Sequence, residues 1–329
     1  MNQLVPQYQH VACGYESDQE FLRAATPFIT DGLADGEPVL AVTTSANIEL
    51  LSAALGTAAT EVDYAESAFF GRRPPQRVAG FHRYWKQQAA ARPGARVRIL
   101  SDQMWAGRTA REIAAWTRLE SAFNVVLSAT GICMLCLYDA RAAPPEVLAD
   151  AGRTHPAWLA GMQLTASADY ADPVAFANAH RSASLPEPPT AAPGYLADGD
   201  VRSLRAFVSG QAGALGLPAD RVGLLVLAAG EVGGYLRSTG SQSPTVRIWE
   251  QAGAIVCHFR QPRAEVGDPF LGLRPAEPLE PRPGDGLWLA SQICDWLEIR
   301  SDSAGCDIQL QVPSMHNAEL TQPGARYPR

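Results

Sequence analysis

This chain is short of positive charge, of cysteine and of long apolar runs, and each shortage closes off a class of function. Lys and Arg together number 27 against 34 Asp and Glu, a formal net charge of -7. Binding a phosphate backbone needs clustered cations, so a large nucleic-acid footprint is not expected. No apolar stretch approaches the ~20 residues that cross a bilayer, so no membrane span is expected. The opening MNQLVPQYQHVACG has neither a charged start nor a long apolar core, which argues against an export signal. The six cysteines are Cys13, Cys133, Cys136, Cys257, Cys294 and Cys306. Unexported and scattered through apolar segments, they read as reduced thiols of a cytoplasmic protein. Only Cys133 and Cys136 form a CxxC. It lies inside GICMLCLYD, which reads as a buried strand, where alternation sends positions i and i+3 to opposite faces. That makes the pair a poor disulfide or zinc half-site. With no second CxxC and no HxxxH, no metal is expected. Heptads and internal repeats are also missing.

What is present is enough for about two domains: 329 residues, 47% hydrophobic and 19% charged. Chains of that size bury a core without staples. The first half alternates strand-like and helix-like runs. HVACGY, EPVLAVTT, TEVDYAES, RVRILSDQ and GICMLCLYD read as strands. Between them, the helices are SDQEFLRAATPFITDGLADG, with Ser17 and Glu20 as a capping box, and SANIELLSAALG, capped by Ser45 and stopped by Gly56. PPQRVAGFHRYWKQQAAAR, TAREIAAWTRLESAFNVVLSAT and PPEVLADAGRTHP follow. Such alternation implies a parallel sheet covered on both faces. SLPEPPTAAPG is the best linker candidate, so residues 1–183 and 197–313 are read as domains, 184–196 as a Pro/Ala-rich linker and 314–329 as a loose tail. The second half gives two helices, DVRSLRAFVSGQAGALG and LPADRVGLLVLAAGEVGGYLRSTG. A hairpin turning at Gln251–Gly253 follows, then a helix in GDGLWLASQICD and two closing strands. Gly233 and Gly234 inside a helix cost about 1 kcal/mol each against Ala, which asks for close packing there or for a site no longer under selection.

Several short motifs in the first half occur in a telling order. They are His10, Tyr15, Ser17-Asp18, Glu20-Phe21, Pro27-Phe28, Gly32-Leu33, Gly36 to Leu40, Trp105, Gly107-Arg108, Glu120, Tyr138-Asp139, Thr154-His155-Pro156 and Tyr170. In this set, residues 8–173 resemble the MEDS sensory domain attached to bacterial transcription and sigma-factor regulators. The resemblance implies a P-loop-ATPase-like α/β fold that has lost its phosphate loop. The residues agree, because SANIEL follows EPVLAVTT with no GxxxxGK[ST] to cradle phosphates. Ligands of doubly wound sheets bind outside the carboxyl ends of the strands. Asp102 and Trp105 follow one strand, Asp139 ends another, Glu120 lies in the long helix and His155 precedes a proline. Asp102, Trp105, Glu120 and His155 are therefore candidates for a small-molecule pocket. The other reading of the same residues is a core indole, two helix-capping acids and a structural histidine.

The second half, from LVLAAGEVGGYLRS through DPFLG to GDGLWLASQICD, resembles the GHKL (Bergerat-fold) ATPase domain in its anti-sigma-factor serine-kinase form. That implies an α+β sandwich. In the family a helix carries a catalytic Glu and, one turn on, a magnesium-binding Asn on the same face. Glu231 stands at the first position, but Tyr235 stands at the second, and a phenol is a poor ligand for an ion that wants hard oxygens. Where the family binds adenine through Asp-x-Gly, this chain has Gln261 and Arg263. The GxGL element is intact as Gly284, Asp285, Gly286 and Leu287, and would bring backbone N–H groups toward phosphates. The nucleotide site, with Gly284, Gly286, Leu287 and Gln261 as its remnants and Glu231 as its only candidate base, is degenerate. No cofactor is expected, and ATP with magnesium is the one candidate that the degenerate site leaves open.

The expectation is a cytoplasmic signalling regulator that joins a sensor to an anti-sigma-like pseudo-ATPase and acts by protein binding. The resemblance implies a sigma factor or a STAS-type anti-anti-sigma protein as partner, a small-molecule signal, and a homodimer through DVRSLRAFVSGQAG. Two other readings fit the residues. One is a residual ATP-dependent serine kinase acting on a STAS partner through Glu231. The other is a repurposed small-molecule binder or enzyme with its site in the first domain.

Overall fold

The computed structural model describes residues 8–180, 185–198, 200–239, 242–264, 266–277 and 280–314. The tail expected over 314–329 lies outside these residues except for Ser314, whose N–H donates to the Gly253 carbonyl. The chain forms two compact units, the first ending at His180. Among the described residues no helix is long and apolar enough to cross a membrane.

The first unit runs β1 (Gln9–Tyr15), α1 (Asp18–Ala34), β2 (Val39–Thr43), α2 (Ser45–Leu55), β3 (Asp63–Glu66), α3 (Pro74–Ala91), β4 (Val97–Asp102), α4 (Ala110–Val126), β5 (Ile132–Asp139), α5 (Pro145–Thr154), β6 (Ala157–Ala160), β7 (Gln163–Ala166) and α6 (Pro173–Ala179). Its sheet has the order β3-β2-β4-β5-β1-β6-β7. Every pairing is parallel except the β6–β7 hairpin. The interior strands β2 and β5 are buried along almost their whole length. Their near-continuous apolar sequences suit strands covered on both faces.

The helix starts follow local chemistry. Ser17 caps α1 by accepting from the Glu20 N–H, while Glu20 reaches back to the N–H of Glu16 rather than to that of Ser17. The cap of α2 is Thr44 and not the expected Ser45. Thr44 is extended and accepts from the Asn47 N–H, whereas Ser45 is already the first helical residue and cannot hold the non-helical conformation a cap requires. Gly56 ends α2 at φ 58°, in the left-handed half of φ space that favours glycine. Thr109 and Glu112 close a full capping box on α4.

The second unit runs β8 (Gly194–Leu196), α7 (Val201–Ala214), α8 (Ala219–Thr239), β9 (Thr245–Gln251), β10 (Ala254–Pro262), α9 (Asp285–Ile293), β11 (Trp296–Asp302) and β12 (Gly305–Pro313). Its sheet, β11-β12-β10-β9-β8, is antiparallel throughout. The end of the expected linker is therefore not linker. Gly194, Tyr195 and Leu196 pair with Arg247, Val246 and Thr245 as an edge strand, a place that tolerates the preceding Pro193 because one side of the strand needs no partner. Ala252 and Gly253 both hold positive φ, 50° and 75°, which makes the β9–β10 connection a two-residue turn of the type that matches strand twist. The helices α7, α8 and α9 supply core residues such as Leu204, Val232 and Leu287 against Ile255, Phe259 and Leu310 of the sheet.

The glycines of α8 separate into two kinds. A Cβ at Gly233 would run into Leu204 of α7, and one at Gly230 would come within 2.8 Å of Arg205 Nε, so these two let α7 approach. Gly234 faces open space. Gly234→Ala is therefore expected to stabilise the second unit by up to about 1 kcal/mol through helix propensity. Gly233→Ala is expected to destabilise it by about 1–3 kcal/mol through overpacking. Urea unfolding of the two variants checks the opposite signs.

Candidate functional site

The four residues expected to share one rim lie on different faces of the first sheet, and all are buried. Alternation along β4 and β2 turns Asp102 and Thr43 to the face covered by α1 and α2. Here the Asp102 carboxylate accepts from Thr43 Oγ1 at 2.7 Å, Asn47 Nδ2 at 2.9 Å and Tyr15 Oη at 3.5 Å. Its own backbone carbonyl accepts from Ser67 Oγ at 2.7 Å. Burial pushes the Asp102 carboxyl up to about 6, and the hydrogen bonds from Thr43 and Asn47 oppose that rise. Ser67 in turn receives the fully buried Arg77, whose guanidinium also lies over the Trp116 ring at 5.1 Å. Burial lowers the Arg77 guanidinium to about 9.

On the other face, Glu120 of α4 and His155, just past α5, come together with two further groups, His10 of β1 and Cys136 of β5. His10 Nε2 lies 3.3 Å from Cys136 Sγ and 3.5 Å from Glu120 Oε2. Glu120 Oε2 is 3.5 Å from Cys136 Sγ and 3.6 Å from His155 Nε2. The two imidazole rings are tilted by 39° to one another with centroids 3.9 Å apart. Parallel pairing of β1 with β5 sets two of the four in place, since Ala12 is opposite Cys136 and His10 opposite Met134, all on the α4 side.

The far side of each cluster residue is held. Asn124 Nδ2 donates to the Thr154 and Ser121 carbonyls, which turns its Oδ1 to His10 Nδ1 at 3.1 Å. A carbonyl-type oxygen only accepts, so His10 carries its proton on Nδ1. His155 Nδ1 lies 2.9 Å from the Ala151 carbonyl and is protonated by the same reasoning. Gln103 Nε2 donates to Glu120 Oε1 at 3.2 Å and leaves Oε2 for the cluster. Both histidines thus turn an Nε2 lone pair inward, and that of His155 finds no hydrogen-bond partner among the described residues. Burial lowers both imidazoles to about 3 and raises the Glu120 carboxyl and the Cys136 thiol, so burial alone favours the uncharged form of every member. Trp105 stacks on Tyr138 at 6.1 Å, and Tyr138 meets His155 edge-on at 5.8 Å, so the indole borders the cluster without entering it. Asp139, half-buried at the end of β5, pairs with Arg141.

Sequence reasoning singled out Glu120 and His155 but not their union with His10 and Cys136. The signal available was His10 in β1 and Cys136 in β5, each on the strand face that α4 covers. As alternation requires, Cys133 turns away from Cys136, to Gln9 Oε1.

In the second unit, Glu231 and Tyr235 occupy successive turns of α8 facing the start of α9. A Cβ at Gly286 would collide with the Glu231 carboxylate, and one at Gly284 would lie 2.6 Å from Leu271 and 3.7 Å from the Tyr235 ring. Gly284 caps α9 at φ 97°. Leu287 is a core residue whose N–H bonds to the Gly284 carbonyl. Gln261 is fully buried, with its amide Nε2 donating to the Gln242 carbonyl.

Residues 9–156 match the model of the MEDS family, described as the MEthanogen/methylotroph, DcmR Sensory domain. The matched stretch contains His10, Asp102, Glu120, Cys136 and His155. No curated protein matches the chain.

Asp102 generates a prediction with a definite sign. Its folded value lies above the ordinary 3.8, so its contribution to stability is complete below pH 3.8 and is lost as pH rises through about 6. That rise corresponds to about 3 kcal/mol. Asp102→Asn keeps an acceptor for Thr43 and Asn47 but cannot ionise. The stability of the wild type relative to this variant should fall by up to about 3 kcal/mol between pH 4 and pH 7. Parallel denaturation profiles across that range would count against the buried, strained carboxylate.

Proposed function

We propose that the chain is a cytoplasmic signalling regulator. Its first unit is a sensor, and its second is a GHKL-derived module that binds a protein partner and does not turn over ATP. The sensory half of this reading rests on the family match across residues 9–156. The second half rests on the element order of the second unit. A helix pair, a hairpin, a helix opening on Gly284-Asp285-Gly286 and a closing strand pair agree with the resemblance in LVLAAGEVGGYLRS and GDGLWLASQICD.

The observation that carries the non-catalytic part is the Tyr235 ring, which lies near Gly284 at the position where the resemblance expects the magnesium-binding Asn. A phosphate approaching the N–H groups at the start of α9 needs the space above Gly284 and Gly286. In this chain the Glu231 carboxylate lies against one glycine, and Leu271 and the Tyr235 ring lie against the other. The phenol of Tyr235 replaces the amide oxygen through which the family's Asn binds magnesium, and a phenol is a poor ligand for that ion. Phosphoryl transfer relies on positioned metal and phosphate contacts more than on a base, so Glu231 alone does not make a kinase. Gln261 ties its Nε2 to the Gln242 carbonyl and keeps Oε1 without a hydrogen bond among the described residues, a neutral acceptor where the resemblance expects a carboxylate.

The partner is a sigma factor or a STAS-type anti-anti-sigma protein, and the first unit receives the signal. Titration of the full chain with ATP by calorimetry, with and without magnesium, tests the pseudo-ATPase. No magnesium-dependent heat at high micromolar nucleotide is expected. Clear magnesium-dependent binding, followed by phosphate transfer to a STAS protein, would overturn the reading in favour of a residual serine kinase. Binding of purified sigma and STAS proteins to the same sample tests the partner half.

A further inference from the structure

The geometry points to a binding site for one divalent zinc-type metal ion in the first unit, with His10 Nε2, His155 Nε2, Cys136 Sγ and Glu120 Oε2 as its four ligands. The inference concerns residues 10–155 alone and does not rest on the partner or nucleotide reading.

Three features of the cluster carry it. The first is spacing. With metal–ligand bonds of about 2.0–2.3 Å, the donors of a tetrahedral site stand roughly 3.3–3.8 Å from one another. Four of the six separations here are 3.3, 3.5, 3.5 and 3.6 Å. All four donor atoms lie within 4.8 Å of one another. The second is the orientation of the lone pairs. Asn124 and the Ala151 carbonyl hold the two Nδ1 protons on the outer sides of the rings, so both Nε2 atoms point inward unprotonated. This is the arrangement that outer partners impose on metal-binding histidines. Gln103 does the same for Glu120 by engaging Oε1. The third is need. His155 is fully buried, and its Nε2 is an acceptor aimed into the cluster without a hydrogen bond. Leaving such a group unsatisfied is costly, and most buried polar atoms avoid it.

Charge and donor chemistry specify the ion. Thiolate plus carboxylate carries two negative charges, which cancel those of a divalent ion and leave the buried site neutral. A set of two imidazoles, one thiolate and one carboxylate suits zinc and disfavours calcium or magnesium, which take oxygen ligands only. Four protein ligands fill a tetrahedral shell, so no open position is implied for a substrate.

The competing account is a metal-free network of buried hydrogen bonds, and the test separates the two. Full-length protein stripped with chelator is titrated with zinc alone, and separately with cobalt(II). The expected result is one equivalent bound per chain and a melting temperature that rises with zinc and falls back on chelation. The cobalt form should show intense visible bands of four-coordinate geometry and a thiolate-to-cobalt charge-transfer band. Cys136→Ser should lose that charge-transfer band. Asn124→Ala, which touches no ion but releases the His10 ring, should weaken zinc binding by about 10–100-fold. Less than stoichiometric zinc in the wild type, or equal binding by wild type, Cys136→Ser and His155→Gln, would overturn the proposal. The wild-type titration decides it even if a variant fails to fold.

Discussion

A parallel sheet covered on both faces gives its strands no water, and most of what distinguishes the first unit follows from that constraint. Any buried polar side chain carried by β1, β2, β4 or β5 must find its partners inside the protein or bear the cost of desolvation. The two faces meet the demand differently. On the α1/α2 side, Asp102 gathers donors from Thr43, Asn47 and Tyr15 and becomes a single hub. On the α4 side, Glu120 has no such surplus of donors. It sits among His10, Cys136 and His155. The first arrangement is closed and satisfied. The second converges on a point where the His155 Nε2 acceptor has no hydrogen bond among the described residues.

The carboxyl-end rule for doubly wound sheets led to Asp102, and the location was sound, because β1, β2 and β4 end at Tyr15, Thr43 and Asp102. What the rule could not supply is that Asn47, at the start of α2, closes over that spot with its own amide. The place where related folds leave room for a ligand is filled by side chains of the chain itself. Geometry at strand ends is legible from the alternation of elements, but whether the crevice is open depends on side chains contributed by the next helix.

The elements with strong period and clear caps were readable from sequence: the strands with near-continuous apolar runs, and the helices opened by Ser17 or by Pro74. The parts that escaped were short. Four-residue strands such as Ala157–Ala160 and Gln163–Ala166, the three-residue edge strand Gly194–Leu196 and the helix Pro173–Ala179 are too brief to show a period, and their small residues look like linker. The cluster escaped for a different reason. Its members come from four elements spread across the whole unit, and no local spacing joins them. Alternation correctly separates Cys133 from Cys136 and so argues against a CxxC site. The same rule turns Cys136 toward α4, where the register of β5 against β1 delivers it to His10. That register is a long-range fact and cannot be read from either strand alone.

The two units also differ in how their helices and polar groups are held. In the second unit α8 is held by its own packing: Gly230 and Gly233 admit α7, while Val232 and Leu236 face the sheet. None of these contacts uses a nucleotide. Residues on the turn facing α9, Glu231 and Tyr235, can therefore change without loosening the helix, and the contact of Glu231 with Gly286 keeps that turn filled. In the first unit the reverse holds. The cluster lies within the core, where Glu120 and His155 cannot drift without breaking the hydrogen bonds to Gln103 Nε2 and to the Ala151 carbonyl. Polar groups kept at such a position are constrained by one another.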